Sequence, residues 1–177
     1  MPDDRNWFAT VQEPCRECGY DAGSVPRDAL ADAVRALGDE WRSGFAVSAP
    51  SITERPSRTT WSALEYACHT RDVLSVFANR VSLTLVEDEP ELGWWDHEAA
   101  ALDEGYNEQD PAAVLADLDL NADRLARVLA TVPDEGWERA GTRRGAERFT
   151  VADMARFCLH EAHHHLRDAR RAAAPAN

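Results

Sequence analysis

Two helix-start signals of the same kind constrain this chain more than anything else in it. Ser62 and Glu65 stand three residues apart ahead of a long apolar run, and Thr150 and Asp153 repeat the arrangement before another. In each pair the hydroxyl can accept from the second residue's backbone N–H while the carboxylate reaches back, which makes a capping box. Trp61 and Tyr66 fall at staple positions around the first box, and Phe149 and Met154 around the second. The helix opened at Ser62 is expected to reach about Glu87, with Pro90 just beyond. Leu64, Ala67, Leu74, Phe77, Val81 and Leu85 line one flank, and Tyr66, His69, Val73 and Val76 an adjoining one. An apolar surface this wide predicts packing on two sides. The helix opened at Thr150 is expected to reach about Ala172.

Two more helices follow from periodicity. One is predicted from about Pro26 to about Trp41, on the stripe Leu30, Val34, Leu37 and Trp41, with Gly44 as its stop. The other opens at Asp110-Pro111, a cap followed by a first-turn proline, and is expected to reach about Val132 on Leu118, Ala122, Leu125, Leu129 and Val132. Long connections separate them: residues 45–60, the acidic stretch Glu89–Gln109 with Trp94, Trp95, Asp96 and His97, and the Gly- and Arg-rich run ending at Arg148. Loops of this length usually fold over a site. No strand pattern stands out. With 177 residues, 44% of them apolar and 29% charged, the expectation is one all-α domain over 1–177, a four-helix bundle with long inter-helix connections. Residues 1–24 are expected to be irregular and about 173–177 to fray.

The net charge of −13 at pH 7 argues against nucleic acid or an anionic membrane as partner, because both require clustered cations. All the basic residues are Arg, which excludes a catalytic lysine. No apolar run suits a signal peptide or a membrane span, so a cytoplasmic location is expected. Cys15, Cys18, Cys68 and Cys158 are then expected as thiols or metal ligands. Cys68 and Cys158 lie on helices and read as small buried hydrophobes.

Four of the six histidines fall between His160 and His165. On a helix His160 and His164 stack one turn apart, the spacing by which one helix offers two imidazoles to one ion. His69, midway along a facing helix, is the best third ligand. Three imidazoles suit zinc, nickel or iron and leave positions for water or substrate. Such a site needs no nucleophilic side chain. His160 and His164 lie off the centre of their helix's apolar stripe, so the site is expected at the rim of the bundle, open to a cleft. His165 is expected to be packed and His163 solvated. Glu161 with His165 is a second i, i+4 ligand pair, ranked behind the first. Against all this stands the reading of a solvated His-rich face and a satisfied core histidine, since i, i+4 pairs of His arise by chance in clusters.

His69 with His160-x-x-His163-His164 resembles the DinB/YfiT-like superfamily of four-helix-bundle metalloenzymes. Trp61-Ser62-Ala63-Leu64-Glu65-Tyr66, Ala155-Arg156-Phe157-Cys158-Leu159-His160 and Cys15-Arg16-Glu17-Cys18-Gly19-Tyr20-Asp21 look like the same group. The resemblance implies a divalent ion, zinc or nickel with iron or manganese as alternatives, on His69, His160 and His164. It implies a homodimer acting on a small-molecule substrate. It also implies chemistry like that of mycothiol- or bacillithiol-dependent S-transferases and maleylpyruvate isomerases, in which a low-molecular-weight thiol is activated. A metal-assisted hydrolase without thiol, or a non-catalytic ligand-binding bundle, are the alternatives. Arg71, Arg156 and Arg167 are candidates to steer an anionic substrate or cofactor. Glu65 and Glu161 are candidate general bases. Glu65, Asp72, Glu161 and Asp168 could fix imidazole tautomers.

Cys15-x-x-Cys18-Gly19 reads as half of a zinc ribbon with no second CxxC to complete it. An inert loop, a redox pair, or half of a site completed by His97 or a partner chain are the options, the first preferred.

Overall fold

The structure is a computed structural model that describes residues 7–45, 51–145 and 147–174. Four long helices form the bundle: α1 (Leu30–Gly44), α2 (Ala63–Val86), α4 (Pro111–Ala130) and α5 (Val151–Ala172). A short helix, α3 (His97–Asp103), lies between α2 and α4. Both capping boxes form. Ser62 Oγ accepts from Glu65 N–H at 3.1 Å while Glu65 accepts from Ser62 N–H at 2.8 Å, and Thr150 with Asp153 does the same. Trp61 and Tyr66 close the staple edge to face at 5.7 Å.

Cross-helix pairs fix the directions. Arg35 meets Asp123 and Arg42 meets Asp119, so α1 and α4 are antiparallel. Asn121 donates to the Arg71 carbonyl and Arg124 to Asn79, so α4 runs parallel to α2. Phe77 packs on Phe157 and His69 faces Glu161, so α2 and α5 are antiparallel. Glu40 meets His163 and Arg170 donates to the Gly44 carbonyl, so α1 and α5 are parallel. The order is up, down, down, up, and each helix packs on two others in the ring α1–α4–α2–α5.

That topology explains the long acidic connection. At 1.5 Å per residue α2's 24 residues cover about 36 Å, and two parallel neighbours need a return path of that length. Residues 87–110 supply it, passing back over the face of α2 that carries His69. The stretch differs from the loop expected, because Asp96 caps the short helix α3 through Ala99 N–H. Tyr106, fully buried, anchors the far end by donating to Asp72 Oδ2 at 2.5 Å.

Three boundaries differ from the periodicity. Pro26 precedes a 3-10 turn at Arg27–Ala29, and the α-helix proper begins at Leu30. Gly44 ends α1 from inside rather than stopping it, and a Cβ there would collide with the Arg170 guanidinium. A two-stranded antiparallel hairpin, β1 (Ala140–Arg143) and β2 (Glu147–Thr150), occupies the run expected to be loop and delivers Thr150 to cap α5. The N-terminal segment contains 3-10 turns at Trp7–Val11 and Ala22–Ser24. Residues 1–6 and 175–177 lie outside the described residues. Among the described residues no helix is long and apolar enough to cross a membrane. Cys68 and Cys158 are fully buried in the core, as expected.

Candidate metal centre

Helix α5 carries two i, i+4 pairs one residue out of step, His160 with His164 and Glu161 with His165. At 3.6 residues per turn they look out about 100° apart. Glu161 and His165 face α2. There Glu161 Oε2 lies 3.4 Å from His165 Nε2 and 3.7 Å from His69 Nε2. His160 and His164 face the N-terminal segment instead, where their donor atoms and the sulfurs of Cys15 and Cys18 all lie within 4.8 Å of one another. Cys15 Sγ is 3.7 Å from His164 Nδ1.

The trio expected from spacing, His69, His160 and His164, is therefore divided. His69 joins the pair ranked second, and the other two histidines join the cysteines. Each cluster is mostly buried, with His165 in one and Cys18 in the other partly exposed. His160 is 0% exposed, His164 4% and His69 5%. Nor is His163 solvated as expected, because its ring stacks on Tyr20 at 3.9 Å.

The His69 cluster fits a divalent ion. Ligands about 2.0–2.2 Å from a tetrahedral zinc stand about 3.4 Å from each other, close to both separations measured here. Two imidazoles and a carboxylate leave a fourth position open, as catalytic zinc sites do. Charge agrees. Burial drops His69 to about 4 against the pull of Glu161, so its ring stays neutral with a free lone pair. Burial opposes ionisation of Glu161, but the imidazoles of His160, His165 and His69 outweigh it and hold the carboxyl well below its usual range. Burial also opposes a charge on His165, yet Asp168 and Glu161 overcome it and lift the ring to about 9. An arriving ion would displace that proton, and metal binding would release it to solvent.

Two carboxylates tie the clusters together. Glu161 Oε1 lies 3.3 Å from His160 Nδ1 while its Oε2 serves His69 and His165. Asp168 Oδ2 lies 3.2 Å from His164 Nε2 and 3.7 Å from His165 Nδ1. A carboxylate on the outer nitrogen of a ligand histidine orients the ring and raises its basicity. Aromatic rings wall the His69 cluster: Trp95 stacks on His69 at 5.4 Å and 7°, Trp61 lies at 5.1 Å, and Tyr66 stacks on His165 at 5.3 Å. The returning connection brings His97 to 5.5 Å from His69, its side chain 44% exposed.

The other candidates scatter. Glu65 is committed to Arg55, whose Nε donates to its two oxygens at 3.0 and 2.8 Å, and to the cap of α2. Arg71 is tied to Asp72 at 2.7 Å and Gln109 at 2.5 Å, which leaves it no free fork for an anion. Arg156 donates to the Val25 carbonyl at 3.3 Å and pins the N-terminal segment. Arg167 sits near Cys18 and favours its thiolate electrostatically, although burial and Cys15 raise that thiol overall. Spacing ranked Glu161 with His165 second and preferred an inert loop for the cysteines, whereas the structure groups His165 with His69 and the cysteines with His160 and His164. The available signal was that His165 lies nearer the apolar stripe, and hence nearer α2, than either neighbour pair member.

Residues 27–169 match the family described as the DinB superfamily. Among solved structures, YfiT from Bacillus subtilis is similar with a TM-score of 0.77 at 19% identity, over 84% of this chain and 88% of that one. That protein is described as a probable metal-dependent hydrolase with an unusual four-helix bundle topology. Comparison with curated proteins gives no match.

Proposed function

Because the chain belongs to the DinB superfamily, we propose that it is a divalent-metal-dependent enzyme whose ion, zinc or nickel, is held by His69, Glu161 and His165. The observation that carries this is the convergence of His69 Nε2 and His165 Nε2 on one carboxylate oxygen, at 3.7 and 3.4 Å, beneath an aromatic cover. When bound, such an ion lowers the pKa of water from ~15.7 to about 7, or deprotonates a thiol. The chain's own groups hold and shield it. The Asp168 carboxylate, 3.7 Å from Nδ1 of His165, balances charge on that ring. Trp61, Trp95 and Tyr66 exclude bulk water and strengthen the electrostatics inside. His97, half in solvent beside His69, is the group placed to pass protons out.

The nucleophile is water or a low-molecular-weight thiol such as mycothiol, giving hydrolysis or S-transfer to a small electrophile. Assembly as a homodimer belongs to the same reading, and light scattering on the eluted protein checks it. The test of the function is elemental analysis of protein made without a His tag, followed by turnover of a model electrophile with and without thiol. Turnover that requires metal and disappears in His69→Ala and His165→Ala supports the reading, and the thiol dependence assigns the nucleophile. Equal turnover after loss of the ion overturns it in favour of a non-catalytic bundle with a contaminating activity.

A further inference from the structure

The Cys15 cluster lies outside this reading and has its own chemistry. Cys15-Arg16-Glu17-Cys18-Gly19-Tyr20 forms a closed turn. Gly19 N–H donates to the Cys15 carbonyl at 2.8 Å, and Cys15 N–H donates to the Tyr20 carbonyl at 2.9 Å. Gly19 takes φ +77°, a conformation that favours glycine. The turn aims backbone amides at sulfur: those of Cys18 and Glu17 at Cys15, and that of Tyr20 at Cys18. It then lays both sulfurs against a helix that offers His160 and His164 one turn apart. The four ligand atoms come from two separate segments, lie within 4.8 Å of one another, and include three residues buried from solvent. All four cysteines of the chain are free thiols.

We propose that Cys15, Cys18, His160 and His164 form a second, four-ligand zinc site that is structural and clamps the N-terminal segment to α5. Two thiolates and two neutral imidazoles are a tetrahedral donor set selective for zinc, and four protein ligands leave no position for substrate. The charges cancel: two thiolates balance one dication, so a buried site carries no net charge. The 3.7 Å from Cys15 Sγ to His164 Nδ1 is near the tetrahedral edge of about 3.6 Å that Zn–S of ~2.3 Å and Zn–N of ~2.0–2.1 Å require. Geometry beyond the first ring agrees. Asp168 takes the outer Nε2 of His164 at 3.2 Å and Glu161 takes Nδ1 of His160 at 3.3 Å, so both imidazoles have the carboxylate backing that ligand histidines receive.

The site adds to a joint that buried Val11 and Ala22 already make with the bundle. Around the turn, Tyr20 stacks on His163 and Arg156 holds the Val25 carbonyl. An ion binding four residues from both elements would supply folding free energy to the joint directly.

The test uses the full chain, purified without a His tag. Cobalt(II) replaces zinc, and its thiolate charge-transfer absorption reports a cobalt–sulfur bond. The expectation is two metal equivalents per chain and a thiolate band in the parent protein. Cys15→Ser/Cys18→Ser should keep one equivalent and lose the band; His69→Ala/His165→Ala should keep one equivalent together with the band. If the cysteine variant does not fold, the parent protein alone decides, because zinc should protect Cys15 and Cys18 from alkylation at least tenfold. No thiolate band, or alkylation as fast with zinc as without, overturns the proposal. Loss of the His69 centre alone would instead appear as one equivalent with the band intact, so the two readings fail separately.

Discussion

His164 and His165 are consecutive in the chain, yet their rings stand 5.4 Å apart at 86° and serve different clusters. The backbone of α5 acts as a partition, with one set of donors on each side. Two carboxylates, Glu161 and Asp168, reach across it.

Replacing a ligand of the inner cluster should separate these sides. In His165→Ala, Glu161 keeps His69 but loses the partner at 3.4 Å. Elemental analysis should show the metal content falling from two equivalents to one, and turnover should fall by at least 10²-fold. The thermal transition should also fall, by the equivalent of about 3–5 kcal/mol, because the buried Glu161 carboxylate loses a compensating imidazole.

Asp168→Asn keeps the shape and removes the charge. Its Oδ2 lies 3.2 Å from the outer nitrogen of His164 and 3.7 Å from that of His165. Loss of such a partner typically costs 10–100-fold in metal affinity, so competition titration against a chromophoric chelator should show both equivalents weakened by roughly that factor. Weakening of one alone would mean that Asp168 backs only one ring.

Acid stability should depend on Glu65. Burial alone would raise its pKa, but Arg55 and the Ser62 amide overcome that and hold it below its ordinary value. A carboxyl depressed in the folded state contributes stability above the unfolded pKa, about 4.3, and loses it as pH falls through the folded value. Glu65→Gln should therefore cost about 1–2 kcal/mol at pH 7, and its difference from the parent should shrink below about pH 4. Urea melts at both pH values measure this.

Gly38 tests the packing of α1 on α4. An alanine there gains up to about 1 kcal/mol in helix propensity. Its Cβ, however, would collide with the Asp119 carboxylate and come within 3.2 Å of the Asp119 Cα, and overpacking typically costs 1–3 kcal/mol. Asp119 also pairs with Arg42. Gly38→Ala should lower stability by about 1 kcal/mol net. Gly93→Ala, where nothing lies within 4 Å, should be neutral within about 0.5 kcal/mol.

The bundle was legible because caps are local. Ser62, Asp110 and Thr150 accept from backbone N–H groups three residues on, and that information lies within four residues. The hairpin was not legible, because Ala140–Arg143 and Glu147–Thr150 are four residues each and rich in Arg and Glu rather than alternating. The ligand spacing was legible, but the rotation of α5 was not. The run His160 to His165 contains two equivalent pairs, and which one meets His69 is decided by the packing of Phe157 on Phe77 and of Ala162 and Leu166 in the core. Completion of the CxxC turn by His160 and His164 joins positions about 145 residues apart, beyond any local pattern.

The parallel stack of Trp95 on His69 also gives the protein a built-in optical reporter. An indole stacked on an imidazole is quenched according to the electron demand of that ring, and a dication held through the Nε2 of His69 would change the demand. Filling of the inner centre should therefore be visible in the tryptophan emission of the unlabelled chain, and Trp95→Phe should silence the signal while leaving the ion in place.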